Sequence, residues 1–138
     1  MKANKLSCKD LMVWDWVKPK NVDGSFRVGL IGVDSVWNDT DTHEWYYDEI
    51  EPIPLTAEIL EKNGFEVQDQ GGGRKDVWIG FGIDCEGDIE VEFQHNIPTH
   101  LMIDGVFKGE YYTSTNIKYV HLLQHALRLC GVEKTIEL

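Results

Sequence analysis

Asp88-Ile89-Glu90-Val91-Glu92-Phe93 alternates a carboxylate with a large apolar side chain at every step. A period of two sets Ile89, Val91 and Phe93 on one face of a strand and Asp88, Glu90 and Glu92 on the other, the pattern of an antiparallel strand with one wet face. Upstream, Val77 to Gly82 reads as a neighbouring strand, and Asp69-Gln70-Gly71-Gly72-Gly73 as a flexible loop. Downstream, Leu101-Met102-Ile103 and Val106-Phe107 flank Asp104-Gly105, a strong short-range hairpin signal. A long helix over about Asn116 to Cys130 follows, with Ile117, Val120, Leu123, Leu127 and Cys130 at helical spacing and Leu122, Ala126 and Leu129 widening the stripe. Ser114, Thr115 and Asn116 offer caps, Gly131 stops the helix, and Lys118, Gln124 and Arg128 are expected to face away from the core. Thr135-Ile136-Glu137-Leu138 is expected to add an edge strand.

The first half is β-rich as well. Leu11 to Val17 alternates as a strand, with Trp14 and Trp16 on one face and Val13 and Val17 on the other. Phe26 to Val33 follows the Asn21–Ser25 turn as its hairpin partner, and Gly29 and Gly32 suggest bulges. Val36-Trp37 and the aromatic run Glu44-Trp45-Tyr46-Tyr47 give two more short strands around the turn Asn38 to Thr42. Glu51-Pro52-Ile53-Pro54-Leu55 must be extended, because each proline biases its predecessor away from helix. Thr56 caps a short helix, Ala57 to Asn63, which Gly64 ends in the left-handed conformation. The expected fold class is α+β: a curved N-terminal antiparallel β unit, a short central helix, and a C-terminal β-meander packed by one long helix. One domain is expected over residues 1–138, comprising a β-rich part (10–51), a Pro-rich connection with the short helix (52–65), and the meander with its helix (66–138).

Charge narrows the functions. The 138 residues carry 13 Lys+Arg and 24 Asp+Glu, a net of −11. Nucleic acid is therefore not an expected partner, since a grip on phosphates needs excess cationic charge. No apolar run reaches the ~20 residues of a membrane-spanning helix, and the basic start, Met1 to Lys5, lacks the apolar stretch of a signal peptide. Cys8, Cys85 and Cys130 are odd in number and widely spaced, which suits reduced thiols and a cytoplasmic location. Cys85 lies between Asp84 and Glu86, where carboxylates oppose thiolate formation. Residues 28–61 hold Asp34, Asp39, Asp41, Glu44, Asp48, Glu49, Glu51, Glu58 and Glu61 and no base. Such a block is either a solvated face or a docking surface for a basic partner.

Three landmarks bracket most of the chain: Leu11 with Asp15-Trp16-Val17, Glu49-Ile50-Glu51-Pro52-Ile53-Pro54-Leu55-Thr56 with Glu61-Lys62-Asn63-Gly64-Phe65, and Ile117-Lys118-Tyr119-Val120-His121-Leu122-Leu123-Gln124. Their order resembles that in a family of small uncharacterised proteins of gut-bacterial genomes and their phages or mobile elements. The resemblance implies a cytoplasmic bacterial or phage-derived protein and no particular activity. The opening hairpin is also similar to small SH3-like barrels, except that Trp14 stands where glycine is expected.

Three groups of residues invite a functional reading. His121 and His125, four apart on the long helix, have a spacing that metal sites use. Leu122 occupies the place of the zinc-protease glutamate, however, and a structural zinc site needs about four ligands. Glu90 and Glu92 lie roughly 7 Å apart along one strand face, a separation that carboxylate hydrolases use and that any solvent-facing strand also produces. Trp14, Trp16, Trp37, Trp45, Tyr46 and Tyr47 crowd a segment too small to bury them all, with Asp39, Asp41 and Glu44 among them. That cluster is the expected interaction surface. The leading expectation is a non-enzymatic protein-interaction module with an unidentified, basic protein partner, no cofactor and no metal; self-association is open to it. The alternatives are a metal-assisted or carboxylate hydrolase and an acidic decoy that imitates nucleic acid.

Overall fold

The computed structural model describes residues 6–81, 86–107 and 110–138. Cys85, and with it the expectation for its thiol, lies outside the described residues. The fold is α+β, with two five-stranded antiparallel sheets and two short α-helices. The chain divides into two compact units, one reaching to Ile53 and the other beginning at Pro54.

The first unit contains β1 (Trp16–Pro19), β2 (Phe26–Ile31), β3 (Ser35–Asn38), β4 (Glu44–Tyr46), a 3-10 turn (Tyr47–Glu49) and β5 (Ile50–Pro52). The strands lie in the order β4-β3-β2-β1-β5. The first four strands form a meander, and the fifth returns to pair with the first after the 3-10 turn. Leu6, Leu11, Val17, Val28, Val36, Tyr47 and Ile50 form the core, with Phe26, Ile31 and Trp45 packed against it. Gly29 does mark a bulge, where the register with β3 shifts between Val28 and Leu30.

The strand expected over 11–17 is shorter. Residues 12–15 form a tight turn instead: Asp15 N–H donates to the Met12 carbonyl at 3.1 Å, and Met12 N–H donates to the Asp15 carboxylate at 2.7 Å. The Asp15 side chain is buried. A carboxylate that satisfies a backbone amide within its own turn outcompetes the ladder that the apolar alternation suggested.

The second unit runs α1 (Ala57–Lys62), β6 (Glu66–Gly71), β7 (Arg74–Phe81), β8 (Gly87–Gln94), β9 (Ile97–Phe107), β10 (Glu110–Ser114) and α2 (Val120–Leu129). Its sheet has the order β10-β9-β8-β7-β6. Thr56 caps α1 by accepting from Ile59 N–H at 3.2 Å, Gly64 is left-handed at φ +89°, and Phe65 N–H closes back onto Leu60, as the sequence implies. The expected alternation also holds in β8, where Ile89, Val91 and Phe93 are buried.

Five expectations for this unit are corrected. The segment 69–73 is no loop: β6 and β7 join through Gly72 and Gly73, both at positive φ (63° and 85°), the geometry of a type I′ hairpin. Asp104-Gly105 is no hairpin tip but lies inside β9, whose partner β10 shifts register between Glu110 and Tyr111. Gly105 (φ +86°) is needed there because a Cβ would stand 2.5 Å from Gly87 Cα on the neighbouring strand.

The helix start moves from Asn116 to Val120, since Leu55 N–H donates to the Lys118 carbonyl at 2.9 Å and Pro54 bridges Tyr119, which is held extended. Residues 135–138 form no strand, and Gln124 is buried rather than solvent-facing. These last two corrections are linked. The Gln124 carbonyl accepts from Ile136 N–H at 2.8 Å and its amide donates to the Lys134 carbonyl at 3.0 Å, while Asn63 Oδ1 accepts from Glu137 N–H at 2.8 Å. Side chains thus take the place of a β-ladder. Replacing Gln124 by alanine leaves the Ile136 amide without that acceptor, and we expect a loss of about 1–3 kcal/mol in urea unfolding with faster exchange of the Ile136 amide.

Candidate functional site

Positions 12–14 carry the least expected arrangement in the first unit. Met12, Val13 and Trp14 are exposed in succession, at 43%, 53% and 45%. Trp14 has φ +80°, a left-handed conformation that costs a bulky L-residue of order 1–3 kcal/mol. The backbone is held there from both sides: Trp14 N–H donates to the Val28 carbonyl at 2.6 Å, and Val28 N–H donates to the Asp15 carbonyl at 2.9 Å.

The Trp14 ring lies against Arg27, whose guanidinium carbon is 4.7 Å from the centroid of Trp14 and 4.6 Å from that of Trp16. Arg27 is itself buried. Two indoles around one guanidinium form a stiff cation–π stack that fixes the orientation of the exposed ring.

The other rings divide. Tyr46 is exposed, whereas Trp37 and Trp45 are half-buried. Trp45 stacks on Phe26 at 5.6 Å and meets the His43 ring at 4.4 Å. Tyr47, expected on the interaction surface, belongs to the core: it is 7% exposed and its hydroxyl donates to the Gly32 carbonyl at 2.8 Å. The strand ends at Tyr46, and the 3-10 turn that follows rotates Tyr47 inward.

Of the acidic set, Asp39 and Asp41 are exposed in the β3–β4 turn, and Glu44 accepts from the Ser35 hydroxyl. A groove of about 610 Å³ also opens in this unit, lined by Leu6, Val33, Asp34, Tyr46, Asp48 and Glu49 among others. The phenol of Tyr47 is pushed above its usual pKa, by burial first and then by Cys8, Asp10 and Asp34. Met12, Val13, Arg27 and this groove are not evident from the sequence. The only signal for Arg27 is its place as the last base before the acidic block.

In the second unit His121 is buried and His125 half-buried on α2, their rings 5.4 Å apart and edge-on, with Tyr119 stacked on His121 at 5.9 Å. His121 is therefore no part of a polar helix edge. Among the described residues no three His, Cys, Asp or Glu side chains gather in a way that would hold a metal ion. Glu90 and Glu92 do share the outward face of β8, where Arg74 pairs with Glu92 at 3.7 Å and with Asp76 at 3.3 Å.

Glu90 is pushed above the usual carboxylate pKa, by burial first and then by the charges of Asp76 and Asp88. The folded chain therefore takes up this proton before the unfolded chain does, and the stability gained is lost as pH rises through the raised value. Glu90→Gln is expected to raise the urea midpoint at pH 7 and to have little effect at a pH where Glu90 is already protonated. Cys8 and Cys130 are free thiols, and burial pushes the Cys130 thiol up.

No described helix is long and apolar enough to cross a membrane. Comparison of the chain with known protein families, with curated proteins and with solved structures gives no match.

Proposed function

We propose that the first unit is a non-enzymatic protein-interaction module, of bacterial or mobile-element origin as the landmark resemblance implies, and that it docks a basic segment of a partner protein. The observation that carries this reading is Trp14. A large aromatic ring held out at φ +80° directly after two exposed apolar residues, Met12 and Val13, is unfavourable for the isolated unit and useful once a partner covers it. Charge complementarity selects the partner. The same unit presents Asp39 and Asp41 in an exposed turn, and Asp34, Asp48 and Glu49 around its groove. Carboxylates of one sign steer a cationic chain and disfavour acidic competitors. Widely spaced, reduced thiols suit a cytoplasmic setting.

Selection of displayed random peptides against the whole protein tests this. Binders rich in Lys and Arg, weakened by salt and perturbing the amides of Met12–Asp15, are expected. Failure to enrich any binder, or binders that map only to residues beyond Pro54, would overturn the proposal.

A further inference from the structure

The outward face of the second sheet carries its own groove, of about 330 Å³, lined by Glu90, Glu92, His100, Met102, Tyr111 and Thr113 among others. In register, Glu90 stands between Trp78 of β7 and Met102 of β9, and Thr113 of β10 stands beyond Met102. The carboxylate is therefore flanked across the sheet by apolar side chains, and along it by other acids.

Glu92 is matched by Arg74. Glu90 makes no hydrogen bond or close ion pair among the described residues, although burial and three neighbouring carboxylates disfavour its charge and the more distant Arg74 offsets them only in part. A half-buried carboxylate left without a cation, beside a thioether and an exposed phenol ring, is half of a recognition pair.

We propose that this groove binds an organic ammonium ion, its charged head on Glu90 and its carbon substituents against Met102 and the ring of Tyr111. The alternatives fit less well. Hard metal ions require several converging oxygens, and no such group exists among the described residues. Anions would meet Asp76, Asp88 and Glu92, all close enough to act on Glu90. A neutral apolar ligand would leave Glu90 as unsatisfied as before. An ammonium with carbon substituents answers both features, because aromatic faces and carboxylates attract the same head group. The volume lies at the lower end for small-molecule sites, which suits one head group with a short chain. All the residues lining the groove belong to the second unit.

Calorimetric titration of the full chain with hexyltrimethylammonium, with N-acetyl-lysine methylamide and with neutral hexanol provides the test, with amide shifts locating each ligand. At least one of the two cations should bind and perturb β8, β9 and β10, and hexanol should not. Tighter binding of the quaternary amine assigns a small-molecule ligand, and tighter binding of the lysine derivative assigns a protein side chain. Glu90→Gln should weaken the cation at least tenfold while the protein melts no lower than before. Tyr111→Leu should remove any preference for the quaternary head. Absence of cation binding, equal affinity in Glu90→Gln, or shifts confined to other strands would each overturn the assignment.

Discussion

Replacing Trp14 by glycine is expected to leave the first unit folded, within about 1 kcal/mol of the parent, while costing at least ~2 kcal/mol, or roughly 30-fold, in affinity for basic peptides. The stability side is a balance of opposing terms. Glycine at φ +80° removes the backbone penalty that Trp14 bears, but it forfeits the ring's contact with Arg27 and adds chain entropy in the unfolded state. The binding side has no such offset, because an exposed aromatic anchor contributes only when a partner covers it. Trp14→Ala sharpens the comparison. Alanine loses the ring and keeps the strained backbone, so it should be less stable than Trp14→Gly by about 1 kcal/mol, inverting the usual order of the two residues. Urea unfolding and titration with a selected peptide read both quantities. If Trp14→Gly binds as tightly as the parent, the ring is only a cover for Arg27 and the docking surface lies elsewhere.

The left-handed backbone at Trp14 is not legible in the amino-acid sequence. Leu11 to Val17 alternates like a strand, and the competing interaction, the Asp15 carboxylate on Met12 N–H, leaves no trace in hydrophobic periodicity. The same logic separates the other successes and misses. Thr56, Gly64 and the alternation of Asp88–Phe93 are local signals acting on local structure, and each is realised. β6 is polar at nearly every position because it is an exposed edge, so it offers no pattern to read.

Asp104-Gly105 carries a genuine requirement for glycine, but it arises from the approach of Gly87 on another strand, not from a chain reversal. Gln124 looks like a surface residue because its partners, Lys134 and Ile136, lie beyond the end of the helix. For the candidate sites the lesson is similar. The carboxylates of β8 are visible in the sequence as a face, whereas the contrast between a paired Glu92 and an uncompensated Glu90 depends on Arg74 and Asp76 from the adjoining strand.

The aromatic cluster shows the limit most directly, and Tyr47 supplies the second large expected effect. From sequence alone, Trp45→Ala and Tyr47→Ala would both spare the fold and abolish partner capture. The structure reverses that expectation for Tyr47. Its ring sits in the core with Val17, Val28, Val36 and Ile50, and its hydroxyl satisfies the Gly32 carbonyl. Truncation to alanine removes a large buried ring and leaves a cavity, so a loss of roughly 3–5 kcal/mol is expected. That is enough to unfold much of the population of a unit this small. Tyr47→Phe keeps the ring and deletes only the hydrogen bond, at a cost of about 1 kcal/mol. Trp45, stacked on Phe26 and packed against the same core, should fall between Tyr47→Ala and Trp14→Gly in stability. Far-UV and tryptophan-fluorescence unfolding of the four variants orders them. A Tyr47→Ala protein as stable as the parent would mean that the core does not extend to the 3-10 turn, and would return Tyr47 to the surface set from which its burial removes it.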